Sequence, residues 1–193
     1  MAVYDRFAKY YDRAFAPLER IGLARYRRET LSLLPKDAAI LELGSGTGAN
    51  FEFYPASRLA VSTELSVNMA EKAKLKLCAN LLINADAQNL PFSENVFDAA
   101  FATLVFCSIP DPALAFAELR RVIKSGGSII LLEHVRPNGF LGYFFDALNF
   151  LTVRVADDHF NRRTAKIATD SGLSVIEIRS KMLGIVNLIV CKV

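Results

Sequence analysis

The chain has 193 residues, 52% hydrophobic and 22% charged, with 23 Lys and Arg against 20 Asp and Glu for a net charge of +3. That length fits one full core and excludes two domains of ordinary size, and the composition excludes a disordered chain. The slight basic excess falls well short of a nucleic-acid binder, and three dispersed cysteines (Cys78, Cys107, Cys191) with two histidines exclude a disulfide framework or a histidine-rich metal site, pointing to a reducing cytoplasm.

The first fifteen residues are charged and aromatic and lack the apolar core of a signal peptide. Residues 21–34 mix Arg25, Arg27 and Arg28 with Leu23, Tyr26, Leu31 and Leu34, a basic amphipathic helix. After about Pro35, β-rich runs alternate with helical ones. Strands are predicted at 39–43, 59–64, 81–84, 97–102 and 128–134, and helices at 66–79 and 111–123. Ser66 and Asp111 are placed to cap the two helices, with Pro112 at a first helical position. Strands separated by helix-length segments imply right-handed crossovers and a parallel sheet. Two last β-rich runs, 174–180 and 185–193, are separated too briefly for a crossover and predict a hairpin with one antiparallel strand. The apolar stretch 140–156 is interrupted by Asp146, Asn149 and Arg154, so no transmembrane helix is expected. The pattern predicts a single domain over 1–193, an α/β doubly wound sheet of about seven strands with helices on both faces.

The strongest local signal is Ile40-Leu41-Glu42-Leu43-Gly44-Ser45-Gly46-Thr47-Gly48-Ala49. An apolar strand runs into alternating glycines, which let the backbone turn sharply and approach a ligand, and then into a predicted helix whose free N–H groups suit a carboxylate or phosphate. By itself the turn fits a bare strand–helix connection or, through Gly44, Gly46 and Ala49, a dinucleotide site.

The surrounding residues resemble class I S-adenosylmethionine (SAM)-dependent methyltransferases. The string from Glu42 to Gly48 resembles their glycine-rich motif, and Ser62-Thr63-Glu64-Leu65-Ser66 resembles their acidic second-strand end, with glutamate where aspartate is commoner. Asn84-Ala85-Asp86-Ala87-Gln88-Asn89-Leu90-Pro91-Phe92, Phe97-Asp98 with Thr103-Leu104-Val105-Phe106, and Arg121-Val122-Ile123-Lys124-Ser125-Gly126-Gly127 follow in the family's order. The resemblance implies a Rossmann-like fold that binds SAM and releases S-adenosylhomocysteine. It further implies that Glu42 and the turn Gly44, Ser45, Gly46 and Gly48 hold the methionine end and ribose, and that Glu64 with Leu65 takes the ribose hydroxyls. Asp86 and Ala87 would meet adenine, and Thr103 and Leu104 would border the methyl group.

Tyr4-Asp5-Arg6-Phe7-Ala8-Lys9-Tyr10-Tyr11-Asp12 resembles the start of the ubiquinone/menaquinone-biosynthesis and bacterial phospholipid N-methyltransferases. That implies an N-terminal helical segment over 1–34 covering the cofactor, with Tyr11 beside it. The stretches 48–55, 103–108 and 132–135 are similar to the methyltransferase-like 7 thiol methyltransferases, and 159–164 matches an H-x-N-R-x-T string of bacterial relatives. A helical substrate-side insertion is expected over 136–165, and its aromatic, apolar residues point to a lipophilic or amphiphilic small-molecule or lipid acceptor. The expected location is cytoplasmic, with peripheral contact at a membrane surface; nucleic acid is not an expected partner, and no oligomeric state is prescribed.

Methyl transfer from a sulfonium is an in-line displacement in which the protein mainly aligns the nucleophile. A base is optional, and His134, His159 and Tyr11 are the candidate catalytic residues, with Arg162 as an acceptor-anion contact. Cys107 reads as a small buried hydrophobe. No metal is expected. The competing functions are a SAM-binding protein without catalysis and an NAD-dependent oxidoreductase; the latter leaves the Asp86 and Asp98 motifs unexplained.

Overall fold

The computed structural model describes residues 4–77, 80–134 and 162–193; His159, Cys78 and all but the last residues of the expected 136–165 insertion lie outside these. The β-rich runs form β1 (Ala39–Leu43), β2 (Leu59–Glu64), β3 (Leu81–Asn84), β4 (Phe97–Thr103), β5 (Ile123–His134), β6 (Ser174–Lys181) and β7 (Val186–Lys192). They make one seven-stranded sheet in the order β3-β2-β1-β4-β5-β7-β6. The first five are mutually parallel, whereas β7 runs antiparallel to both β5 and β6. Strand order reverses between β1 and β4, so the crevice beyond their carboxyl ends is where a doubly wound sheet accepts a ligand.

The helices are α1 (Tyr4–Leu18), α2 (Ala24–Ser32), α3 (Val67–Lys74), α4 (Pro112–Val122) and α5 (Thr164–Asp170), with a π-helical turn (Glu19–Leu23) joining the first two. Alternate strand residues feed two cores. Leu41, Leu43, Ala100 and Ile129 pack with Phe116 and Leu119 of α4 and Ala168 of α5. Ile40, Phe101, Ile130 and Leu132 pack on the other face with Leu31 of α2 and its neighbours Leu23 and Leu34. This period-two division is what a parallel sheet covered on both faces requires. No helix among the described residues is long and apolar enough to cross a membrane.

The predicted caps form. Ser66 Oγ accepts from the Met69 N–H at 3.2 Å, and the Asp111 carboxylate accepts from Ala113 N–H at 2.9 Å and Leu114 N–H at 3.3 Å. Three expectations need correction. The helix expected after the glycine turn is absent: Gly44, Gly46 and Gly48 take φ of 66°, 56° and 80°. A left-handed residue at every second position cannot start a right-handed helix, and the chain makes tight turns ending in a 3-10 turn, Phe51–Phe53. The helix expected over 66–79 stops at Lys74, and that over 111–123 stops at Val122, because Ile123 is already extended and pairs with Phe97. Finally, Arg27 is no part of a solvated basic face; it is 4% exposed.

Asp98 stands at the amino end of β4, on the edge of the sheet opposite the crevice. Its carboxylate accepts from Ala39 N–H at 2.7 Å, Lys124 Nζ at 2.6 Å and Arg58 Nη2 at 3.1 Å. The Lys124 hydrogen bond, then the Ala39 N–H, holds this carboxyl below its usual range. A depressed pKa stabilises above the unfolded value and is lost as pH falls through the folded one. Asp98→Asn is therefore expected to cost about 1–2 kcal/mol near neutral pH. In thermal melts the difference from the parent should shrink on acidification through the carboxylate range, while ligand affinity at the crevice stays unchanged.

Candidate active site

Beyond the carboxyl ends of β1, β2 and β4 lies a cavity of about 610 Å³. Gly44, Ser45 and Gly46, Glu64 and Leu65, Asp86 and Ala87, and Thr103 and Leu104 all line it. Tyr11 of α1 reaches the same cavity, its ring stacked on Phe15 at 4.4 Å between centroids. These predicted residues are thus brought together by separate elements. Gly48 and Glu42 are not on the cavity wall, and neither is His134, half-buried at the end of β5.

The glycines have distinct duties. A Cβ on Gly44 would sit 2.7 Å from both Val105 methyls, and one on Gly48 would sit 2.7 Å from the Phe51 ring, whereas one on Gly46 would meet nothing within 4 Å. Gly44→Ala is thus expected to cost about 1–3 kcal/mol from strain and overpacking. It should also abolish ligand binding at the turn, read by calorimetric titration. Gly46 is free to donate its N–H to Glu64 Oε2 at 2.7 Å, while Ser66 N–H donates to Glu64 Oε1 at 2.8 Å. Burial pushes the Glu64 carboxyl up, with the Ser66 and Gly46 N–H groups pulling the other way. The hydroxyl of Ser45 is buried at the cavity with no partner among the described residues. A native site rarely leaves such an atom unsatisfied without a ligand to meet it.

Behind the turn is a polar cluster. Glu42 is fully buried and accepts from Asn50 Nδ2 at 2.6 Å, Tyr54 OH at 2.7 Å and Ser62 Oγ at 2.7 Å. Burial raises its carboxyl pKa despite these bonds, and burial, then the Glu42 charge, raises the Tyr54 phenol well above its ordinary value. Arg27 of α2 donates through Nη1 to Asn50 Oδ1 at 3.0 Å and to Thr103 Oγ1, and through Nε to Glu19 at 3.0 Å. It also lines the cavity, so one buried cation faces both the ligand space and the carboxylate behind it.

α1 contributes Asp5 and Tyr11 to the cavity and is tied down at two points. Asp5 accepts from Ser66 Oγ at the start of α3, and Asp12 accepts from Thr47 Oγ1 in the glycine turn. Burial would raise the Asp12 carboxyl, but the Thr47 bond and Lys76 at 2.9 Å outweigh it and hold the pKa down.

Asp86 lines the cavity, and its carboxylate accepts from Gln88 N–H at 2.8 Å. Arg162 donates through Nη1 to the carbonyls of Phe106 and Ile109. Sequence reasoning missed Arg27, Asn50, Thr47 and Asp12. The signal for Arg27 was available: Leu23, Arg27, Leu31 and Leu34 recur at helical spacing, which puts the arginine in the middle of the apolar stripe. Asn50 and Thr47 carry no such signal, since irregular backbone brings them to Glu42 and Asp12.

Comparison with known proteins finds similarity to methyltransferases. Residues 41–131 match the family model described as a methyltransferase domain. The fold is that of SAM-dependent methyltransferases: one from Thermotoga maritima, described as a possible histamine N-methyltransferase, superposes with a TM-score of 0.79 over 98% of both chains at 22% identity. Among curated relatives, the rat (Rattus norvegicus) thiol S-methyltransferase TMT1B is 28% identical over 74% of this chain and 62% of its own length. The demethylmenaquinone methyltransferase of Paenarthrobacter aurescens is 27% identical over 81% of this chain and 65% of its own. The chain thus spans less than two thirds of either relative.

Proposed function

We propose that the chain is a SAM-dependent methyltransferase acting on a small lipophilic or amphiphilic acceptor: a thiol, a quinone precursor or a phospholipid amine. The observation that carries this reading is the convergence of a glycine turn, Glu64 and Asp86 on one cavity at the strand-order reversal. Their chemistry matches the three parts of SAM. Glu64 accepts the ribose hydroxyls, Asp86 the adenine amino group, and Ala87 packs against the ring. The methionine end lies along the turn, where the Ser45 hydroxyl gains a partner and the Arg27 guanidinium takes the carboxylate. Glu42 holds Asn50 and, through it, Arg27, and so positions the site without touching the ligand. The domain is a single unit in which α1 covers the cofactor, secured by Asp5 and Asp12.

The sulfonium supplies an activated methyl group. The residues of this chain bind and align it, exclude water with α1 and Tyr11, and present Leu104, Val105 and Ile109 to the acceptor. The charged groups on the described wall, Asp5, Arg27, Glu64 and Asp86, are committed to the cofactor or to holding α1. An acceptor that attacks as an anion is consequently expected to ionise in solution or to give its proton to a histidine. His134 stands off the described wall and His159 lies outside the described residues, while the Tyr11 phenol can only donate a hydrogen bond to the anion formed. The relatives act on thiols and a menaquinone precursor by name, and the apolar wall of Leu104, Val105, Ile109 and Pro110 suits either. Ile21, 75% exposed beside Arg20 and Arg25, gives the α1–α2 turn a basic, apolar rim suited to an anionic interface where such acceptors partition.

The test is calorimetric titration with SAM and with NADH: micromolar binding of SAM and none of NADH is expected, and the reverse would sink the reading. The same titrations carry a pH signature. The ionised Glu64 is the form that accepts hydroxyl donors, and burial raises its pKa in the free protein. SAM affinity should therefore rise as pH climbs through that raised value and level off above it. Glu64→Gln should flatten this rise.

A further inference from the structure

The loop after β4, residues 104–110, supplies one stretch of the cavity lining through Leu104, Val105, Ser108, Ile109 and Pro110. Nothing in its composition explains a rigid wall. It contains no glycine, it begins with Leu104 at φ 59°, a left-handed conformation unfavourable to leucine, and it carries no regular structure. A backbone of this kind keeps one shape only if its surroundings hold it.

Two charged side chains from distant parts of the chain grip it on opposite backbone groups. From the end of β5, Glu133, fully buried, accepts through Oε1 from Val105 N–H at 3.1 Å and Phe106 N–H at 3.2 Å. From just before α5, Arg162 donates through Nη1 to the carbonyls of Phe106 and Ile109. The Phe106 residue is thus held at its N–H by a carboxylate and at its C=O by a guanidinium, both charge-assisted hydrogen bonds. Phe106 itself is buried and stacks on Phe116 of α4 at 4.3 Å, which anchors the outer side of the loop. The inner side meets the cofactor turn, since the Val105 methyls occupy the space that a Cβ on Gly44 would need.

We propose that Glu133 and Arg162 are positioning residues that clamp the 104–110 loop and so set the spacing between the cofactor turn and the acceptor. The proposal rests on the methyltransferase reading for its consequence, but the clamp itself is a property of the fold. Neither side chain lines the cavity. Their effect passes through Val105 and Gly44: a loop free to shift would open that contact and misalign nucleophile and methyl. Misplacement on the scale of an ångström costs about a hundredfold in rate.

Arg162→Met and Arg162→Lys test this in the full chain, each with a thermal melt. Amide hydrogen exchange by NMR reads the clamp without any acceptor. In Arg162→Met, exchange at Val105, Phe106 and Ile109 should accelerate at least tenfold over the parent, while amides in β1 and β4 keep their rates. Arg162→Lys, which retains a cation able to reach at least one carbonyl, should recover part of the protection. With thiophenol as the probe acceptor, Arg162→Met should lose about a hundredfold in kcat/KM while the SAM dissociation constant stays within about twofold of the parent. Unchanged exchange in the loop would overturn the clamp, as would acceleration spread equally over the sheet, which marks general destabilisation. Loss of SAM affinity in step with kcat/KM would overturn the acceptor-side role. If the parent transfers no methyl group to thiophenol or any other acceptor, the methyltransferase reading fails while the exchange data still decide the clamp.

Discussion

Glu64→Ala is expected to weaken SAM binding about a hundredfold or more while leaving the fold intact. The ribose presents two hydroxyl donors to one carboxylate, and hydrogen bonds to a charged group contribute roughly 1.5–3 kcal/mol each. Losing about 3 kcal/mol is about two powers of ten in affinity. The variant also releases the N–H groups of Gly46 and Ser66 that the carboxylate holds in the free protein. Both lie at the cavity, where water or backbone adjustment can meet them, so the melting temperature should fall by only a few degrees. Glu64→Asp should retain most of the affinity, as the residue type is interchangeable for this duty, whereas Glu64→Gln keeps one acceptor oxygen and should fall between. Titration of all three with SAM and with S-adenosylhomocysteine gives the series; equal affinities throughout would remove Glu64 from the site.

Arg27→Met should be costly in two separable ways. The guanidinium is buried and satisfies Asn50 Oδ1 and Thr103 Oγ1, and its charge bears on Glu42. Removing it strands polar groups and weakens the compensation of a buried carboxylate, a loss of about 3 kcal/mol. For a chain of this size that lowers the melting temperature by roughly 10 °C. Ligand selectivity carries the second effect. SAM should bind at least tenfold more weakly, whereas 5′-methylthioadenosine, which lacks the amino-acid part, should bind as it does to the parent. Pairing the change with Glu42→Gln removes the stranded charge and should restore part of the stability but none of the SAM affinity. A uniform loss for both ligands would show that Arg27 supports the site without contacting the carboxylate.

The fold was legible where one force dominates. Five apolar runs spaced by segments long enough for a crossover, two of them helical, read as parallel strands, and the brief connection before residue 185 forced the antiparallel turn-back that β7 makes. Cap chemistry at Ser66 and Asp111 was readable because a single side chain decides each terminus. The segment after Gly48 was misread because helix propensity is a local average, while three left-handed glycines fix the backbone residue by residue. The site divides the same way. Glycine, Glu64 and Asp86 stand at strand ends, where topology alone brings them together. The supporting contacts are long-range: Asp12 to Thr47, Arg27 to Thr103, Glu133 to Val105 and Arg162 to Phe106 join residues that no spacing rule connects. Asp98 marks the limit of motif reading, since its string runs toward the crevice while the carboxylate itself caps the opposite edge of the sheet.

The most direct test of the central claim is transfer of a labelled methyl group from SAM to separate pools of small thiols, quinone precursors, phospholipids and polar aqueous metabolites. The account predicts label in one of the first three, lost in Glu64→Ala. Label confined to the polar pool would contradict the lipophilic acceptor, and no label in any pool despite tight SAM binding would contradict catalysis itself.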